Sequence, residues 1–290
     1  MKKLTGISAG ITMLALVLSL SMCSKKSDPA PPPGPPAKTV SLKTSATLGS
    51  YLSNSKGQTL YFFANDANGL NNCSGGCATL WTASTSTAAL TADSLGTGLN
   101  LTDFGVVTGG AQLTYKGWPL YTYNPGGSPE ASGVVSGDGF GGIWFVAKPD
   151  YSIMLANTQL IGSDAIHYKS DYTAGDASTT YFTDAKGGTL YIFKKDSANH
   201  NKFTKADFSN NTTFPIYDTV TTLAVPSVLD KTQFTSTTVF GKVQLSYKGW
   251  PLYYFGADAG TRSSNKGITI GGIGTIWPVA VLGLPAAPHP

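Results

Sequence analysis

The chain repeats itself, and any fold it adopts has to accommodate the repeat. Lys56-Gly57-Gln58-Thr59-Leu60-Tyr61-Phe62-Phe63-Ala64-Asn65-Asp66 returns 130 residues later as Lys186-Gly187-Gly188-Thr189-Leu190-Tyr191-Ile192-Phe193-Lys194-Lys195-Asp196. Leu113-Thr114-Tyr115-Lys116-Gly117-Trp118-Pro119-Leu120-Tyr121 returns after 132 residues as Leu245-Ser246-Tyr247-Lys248-Gly249-Trp250-Pro251-Leu252-Tyr253. Gly142-Ile143-Trp144-Phe145-Val146-Ala147 returns after 133 as Thr275-Ile276-Trp277-Pro278-Val279-Ala280. Three blocks in one order at nearly one spacing describe a duplication. The copies run from about 41 to 148 and about 165 to 284, with 149–164 as a linker and 285–290 as a Pro-rich tail. Within each copy Lys-Gly-x-x-Leu-Tyr-x-aromatic begins twice, at Lys56 and Lys116 and again at Lys186 and Lys248, so each copy is read as two related β-hairpin units.

Composition says what kind of unit was copied. Among 290 residues, charged side chains make up 12%, against about 25% in an average soluble domain. They include a single Arg (Arg262) and a single Glu (Glu130), both helix-favouring types. With 34 Gly, 17 Pro and 32 aromatics, the chain reads as all-β with many turns. One Arg and scattered Lys cannot supply the paired contacts that nucleic acid needs, so no nucleic-acid partner is expected. In Leu60-Tyr61-Phe62-Phe63 and Leu190-Tyr191-Ile192-Phe193 both strand faces are apolar, which predicts strands covered on both sides or carrying an aromatic ladder on one. Pro119 and Pro251 belong at a strand's start or on an edge, where a missing N–H costs little. The expected fold is a tandem pair of small antiparallel β domains, each a sandwich or barrel built from two hairpin units, with a four-bladed arrangement as the alternative.

The first 22 residues read as a lipoprotein signal peptide. Lys2 and Lys3 form a positive start, and Ile11 to Leu20 an apolar run too short to span a bilayer. The run ends at Leu20-Ser21-Met22-Cys23, which resembles a lipobox in which Cys23 takes the lipid. Residues 23–40 then form a Pro-rich spacer, stiff and unable to pack a core. No Asp follows Cys23, which favours an outer-membrane or cell-surface position for the lipid-anchored chain. Without Lys2 and Lys3 the formal charge falls from +4 to +2.

A Tyr-x-aromatic-x-x-Asp pattern, a Cys-containing loop, a Trp, a Gly-x-Pro-Leu-Tyr strand and a Gly-Gly-x-Trp terminus together resemble the bacterial secreted-repeat lipoproteins named for a Tyr-x4-Asp motif. The resemblance covers both copies and implies location and fold; the family has no assigned activity. Residue by residue, the motif falls on Tyr61, Phe63 and Asp66, on Tyr191, Phe193 and Asp196, and on Tyr253, Phe255 and Asp258. The fourth instance keeps Tyr121 and Tyr123 but has Gly126 in place of Asp. The second copy has no Cys pair, and Trp118 and Trp250 stand where similar proteins often carry His, so no metal or redox role is carried over.

The motif Asp residues sit in turn-like sequences, where a carboxylate accepts backbone N–H bonds; a calcium or sugar contact is the sharper reading. Cys73 and Cys77, separated by Ser-Gly-Gly in an oxidising compartment, are expected to form a disulfide, with a thiol redox or metal site as the alternative. No catalytic residue and no cofactor are indicated. The three His all lie beyond residue 166, so chemistry common to both copies cannot use imidazole. Gly137-Asp138-Gly139-Phe140-Gly141-Gly142 matches a dinucleotide fingerprint in letters only, because it leads into a short strand and opens no helix. Trp118 and Trp250 are weighed as a stacking platform for sugars or a partner, against a place in the core that repeated positions would equally produce. The expectation is a lipid-anchored extracytoplasmic binding or envelope-structural module, not an enzyme, touching the membrane through its anchor and an envelope protein or glycan through its body. The alternative is an envelope redox or metal-handling accessory.

Overall fold

The computed structural model of the chain describes residues 38–86, 88–218 and 222–290. The signal peptide 1–22, the lipidation site Cys23 and most of the spacer 23–40 lie outside the described residues. Among the described residues the first copy contains β1 (Val40–Ser45), β2 (Gly49–Asn54), β3 (Tyr61–Phe63), a one-turn helix α1 (Gly76–Leu80), β4 (Trp81–Ala83), β5 (Phe104–Val106), β6 (Leu113–Tyr115), β7 (Trp118–Pro119), β8 (Tyr121–Tyr123) and β9 (Trp144–Val146). The second contains β10 (Met154–Ile161), β11 (His167–Tyr168), β12 (Ser178–Thr183), β13 (Phe234–Val239), β14 (Lys242–Tyr247) and β15 (Trp250–Pro251).

The duplication read from the sequence is a duplication of chain path. Hairpin β1-β2 corresponds to β10-β12, and sheet β5-β6-β7 to β13-β14-β15, with Phe104 opposite Tyr115 in one and Phe234 opposite Tyr247 in the other. The four-stranded sheet β4-β8-β3-β9 pairs Ala83 with Tyr121, Tyr121 with Tyr61 and Tyr61 with Val146. The second copy makes the same ladder from single bridges, Ile216 to Tyr253, Tyr253 to Tyr191 and Tyr191 to Val279. Tyr61–Phe63 lies inside its sheet and all three residues are buried, as apolar residues on both faces require. Pro119 and Pro251 lie on edge strands β7 and β15, where the ladder loses no donor. Lys116-Gly117 and Lys248-Gly249 make the tight turns before them with both residues at positive φ, 50° and 80° in one and 49° and 83° in the other.

Residues 149–164, expected as a linker, include the eight-residue strand β10, which pairs with β12 over six residues. The second copy therefore begins near residue 154, before the expected 165. Met154-Leu155-Ala156 is apolar without alternation and carries no Gly or Pro, so it has the character of a strand buried on both faces.

One apolar cluster joins Val40, Leu52, Phe62 and Trp118 of the first copy to Tyr181, Tyr191, Phe214 and Trp277 of the second. At this junction the chain's single Arg is spent. Arg262 donates from Nε to the Ala67 carbonyl at 3.0 Å, and from Nη1 to the carbonyls of Lys116, at 2.8 Å, and Lys186. Its guanidinium lies 4.7 Å from the Trp118 ring centroid. The Trp118 indole N–H reaches the Ala185 carbonyl at 3.0 Å. A planar fork can face carbonyls from both copies while stacking on an indole; an ammonium cannot. Arg262→Lys should accordingly lower the unfolding free energy by about 2–3 kcal/mol in urea titrations, and a midpoint equal to wild type would show that the junction does not depend on the guanidinium.

Candidate functional site

The motif tyrosines and carboxylates come together, but not within their own motifs. Tyr121, in β8 of the second hairpin unit, donates its hydroxyl to Asp66 Oδ2 of the first unit at 2.5 Å. Tyr61 in β3 of the first unit donates to Glu130 Oε1 of the second. In the second copy Tyr253 donates to Asp196 Oδ2 at 2.7 Å, and Tyr191 to Asp258 Oδ2 at 2.6 Å. In each copy the two units therefore exchange hydroxyl-to-carboxylate bonds, and every partner is buried.

Each carboxylate also closes its own turn, as the sequence reading of these Asp residues expects. Asp66 accepts the Asn72 N–H at 2.8 Å, Asp196 the Lys202 N–H at 2.7 Å and Asp258 the Lys266 N–H at 3.1 Å. Glu130 accepts the Ser136 N–H at 3.0 Å and its hydroxyl at 2.8 Å. Glu130 is the residue that sequence reasoning missed. It fills the acceptor place of the motif that departs at Gly126, and its longer side chain reaches from a different point in the loop. The signal available was that the only Glu in the chain follows the only motif without an Asp.

Second-layer contacts repeat as well. Gln112 and Gln244 donate to the carbonyls of Leu120 and Leu252 at 3.0 and 2.8 Å, and each amide oxygen accepts from Asn71 or Asn201. The N–H groups of Gly137 and Gly267 each lie 3.3 Å from a tyrosine oxygen, of Tyr61 and Tyr191. A methyl group at Gly137 would come within 2.7 Å of the Trp81 ring, and one at Gly267 within 2.8 Å of the Tyr191 ring, so only glycine allows this approach. The fingerprint-like run 137–142 is thus a turn whose first glycine seals the tyrosine.

Phe63 and Phe193, the aromatic members of the motif, enter three-ring stacks. Trp144 lies between Phe63 at 4.0 Å and Trp81 at 3.8 Å, while Trp277 lies between Phe193 at 4.5 Å and Phe214 at 3.5 Å. Phe255 packs at 4.8 Å on Phe214. Trp118 is fully buried and Trp250 is 4% exposed, so neither offers a ring face to a sugar. Of the two places weighed for them, both occupy the core, where positions repeat for packing reasons.

Cys73 and Cys77 form a disulfide with Cα atoms 5.3 Å apart. Cys73 is buried in the aromatic cluster around Trp81. In the second copy Phe203 takes its place. Asn71 accepts the Cys73 N–H at 2.9 Å as Asn201 accepts the Phe203 N–H at 3.0 Å, and the Phe203 ring meets Trp277 edge-on at 4.8 Å. A ring anchoring the loop explains why the second copy does without a crosslink. Among the described residues no three His, Cys, Asp or Glu side chains group around a point where a metal could sit.

Two stretches of the chain, 44–84 and 234–281, match a family described as a secreted repeat of unknown function. Each copy therefore carries one stretch similar to that secreted repeat. The first stretch holds the Tyr61 and Asp66 unit of copy one, and the second holds the Tyr253 and Asp258 unit of copy two. No curated protein and no solved structure matches the chain. Among the described residues no helix is long and apolar enough to cross a membrane.

The surface is indented where the copies meet. A cleft of about 610 Å³ is lined by Lys116, Asp150, Tyr151, Asp184, Lys186 and Tyr254, among others. The Tyr254 hydroxyl donates to Asp184 Oδ2 at 2.9 Å, and Asp184 caps the turn through the N–H groups of Lys186 and Gly188, both at 2.8 Å.

Burial sets the electrostatics of the crossed pairs. It pushes the carboxyl of Asp66 up to about 6 and that of Asp196 up to about 7, against the lowering effect of the tyrosine and backbone donors. Asp258 is raised for the same reason. Burial, followed by the neighbouring carboxylate, raises the hydroxyls of Tyr121, Tyr191 and Tyr253, so each stays a donor. A carboxyl with a folded value above its unfolded 3.8 adds stability that is complete below about pH 4 and is lost as pH rises through 6 to 7. Thermal midpoints should fall between pH 5 and pH 8, and Asp66→Asn with Asp196→Asn should flatten that slope; a slope of the opposite sign would refute the assignment.

Proposed function

We propose that this protein is a lipid-anchored, non-enzymatic binding or envelope-structural module, held to the outer membrane or cell surface through Cys23 and turned toward an envelope protein or glycan. One observation carries the reading. The side chains of the repeat motif able to do acid–base chemistry are consumed in pairs inside the core, Tyr121 with Asp66, Tyr253 with Asp196, Tyr191 with Asp258 and Tyr61 with Glu130. They close each copy on itself, and the mixed polar and aromatic cleft between the copies is left as the recessed surface for contact. The Pro-rich spacer would hold that body clear of the bilayer, as the lipobox-like Leu20-Ser21-Met22-Cys23 and the following prolines favour.

The full chain expressed in a bacterium should incorporate labelled fatty acid and sediment with membranes, while Cys23→Ala should leave it in the soluble extracytoplasmic fraction; unchanged sedimentation would overturn the anchor. From detergent-solubilised envelope the wild-type chain should retain a component that Tyr254→Ala loses. Free thiols or stoichiometric metal in the purified chain would instead favour a redox or metal-handling role.

A further inference from the structure

The face of the first copy that receives the second has a counterpart on the second copy, and that counterpart is covered by the segment 282–288. At the junction, Lys116 Nζ donates to the Pro149 carbonyl at 2.6 Å, Trp118 Nε1 donates to the Ala185 carbonyl at 3.0 Å, and the Lys116 carbonyl accepts from Arg262 at 2.8 Å. On the second copy Lys248 Nζ donates to the carbonyls of Leu282 and Leu284 at 3.2 and 3.0 Å. Trp250 Nε1 donates to the Pro285 carbonyl at 2.9 Å, and the Lys248 carbonyl accepts the Ala287 N–H at 2.9 Å. The Ala198 N–H closes the set on the Pro288 carbonyl at 2.7 Å. For the ammonium, the indole N–H and the lysine carbonyl alike, the segment supplies acceptors and a donor of the kind met at the junction.

The edge with which a copy docks is present, uncovered by this segment, on the first copy. In the second copy that edge is the turn Ala185-Lys186-Gly187 under the Arg262 guanidinium, whose Cζ lies 3.0 Å from where a methyl group at Gly187 would be. In the first copy it is Ser55-Lys56-Gly57, and Lys43 Nζ lies at the same 3.0 Å from a methyl group at Gly57. Lys43 is fixed there by donating to Ser132 Oγ at 2.8 Å. The loops behind the two turns also agree, with the Gly133 N–H on the Gly57 carbonyl at 3.0 Å and the Ser263 N–H on the Gly187 carbonyl at 2.8 Å. Ser55 and Lys56 are exposed. A cation thus stands ready over the first turn, as Arg262 stands over the second where it meets Trp118.

We propose that 282–288 is a cap, and that beneath it the second copy carries a docking surface for the first copy of another chain. The occupant is the same protein. The contact is head-to-tail, between two different surfaces, so it does not close on itself and would extend into an array unless capped.

The test is light scattering on the full chain in detergent. Ala287→Arg should displace the cap, because a methyl group at Gly249 would already lie 3.3 Å from Ala287 Cβ. Wild type should be monomeric, Ala287→Arg should at least double in mass with rising concentration, and Ser55→Trp added to Ala287→Arg should return it to monomer. A folded Ala287→Arg that stays monomeric, or association that Ser55→Trp does not reduce, overturns the proposal. Should Ala287→Arg fail to fold, Leu284→Ser, which loosens the cap from its own side at a buried position and leaves Lys248 and Trp250 in place, is read by the same two criteria.

Discussion

The crossed bond between a tyrosine of one hairpin unit and a carboxylate of the other is the constraint on which the rest of each copy depends. A phenol and a carboxylate buried without partners would each cost on the order of kilocalories. The cost is avoided only when Tyr121 meets Asp66 and Tyr61 meets Glu130, or the equivalents in the second copy, so the two units can close in one register alone. Because each carboxylate also closes its own loop, a correctly formed turn in one unit presents the acceptor that positions the other unit's strand. Local and long-range structure thereby agree, which is what gives a chain of very short strands a single native state.

Above this polar layer the aromatic stacks supply the apolar burial. Trp144 and Trp277 are each sandwiched between two rings and met edge-on by Tyr121 or Tyr253, at 5.1 and 5.2 Å. The stack tolerates substitution where shape is kept, since Trp81 in one copy corresponds to Phe214 in the other. The disulfide is equally replaceable: a covalent link at Cys73 and a ring at Phe203 pin the same loop. The crossed pairs permit only the exchange of Asp for Glu. What varies between copies is packing, and what is kept is the hydroxyl-to-carboxylate bond.

Much of this was legible in the sequence, and the parts that were not have a common cause. Repetition, strand character, the edge prolines and the Cys73–Cys77 link are local or periodic, so they show in one dimension. The partner of each motif tyrosine lies 55 to 69 residues away, and spacing within Tyr-x4-Asp points only to the turn. Glu130 was hidden because the acceptor shifted along its loop. Strand β10 passed for linker because it lies outside the three recognisable blocks. Trp118 and Trp250 could be read as platform or core because repetition preserves both, and only their burial decides. Arg262 argued against nucleic acid by being alone, yet its place at the junction depends on carbonyls from three distant turns.

The dependence of each copy on its crossed bonds can be read from a double-mutant cycle on one pair, Tyr121→Phe and Asp66→Ala, with unfolding free energies measured by urea titration at pH 8, where the carboxylate is ionised. The coupling energy should be about 1.5–3 kcal/mol, with a similar value for Tyr253→Phe and Asp196→Ala. Additivity to within about 0.5 kcal/mol in both copies would mean that the hairpin units are held together by the Tyr61–Tyr121 and Tyr191–Tyr253 ladder pairs and the aromatic stacks, without help from the crossed bonds.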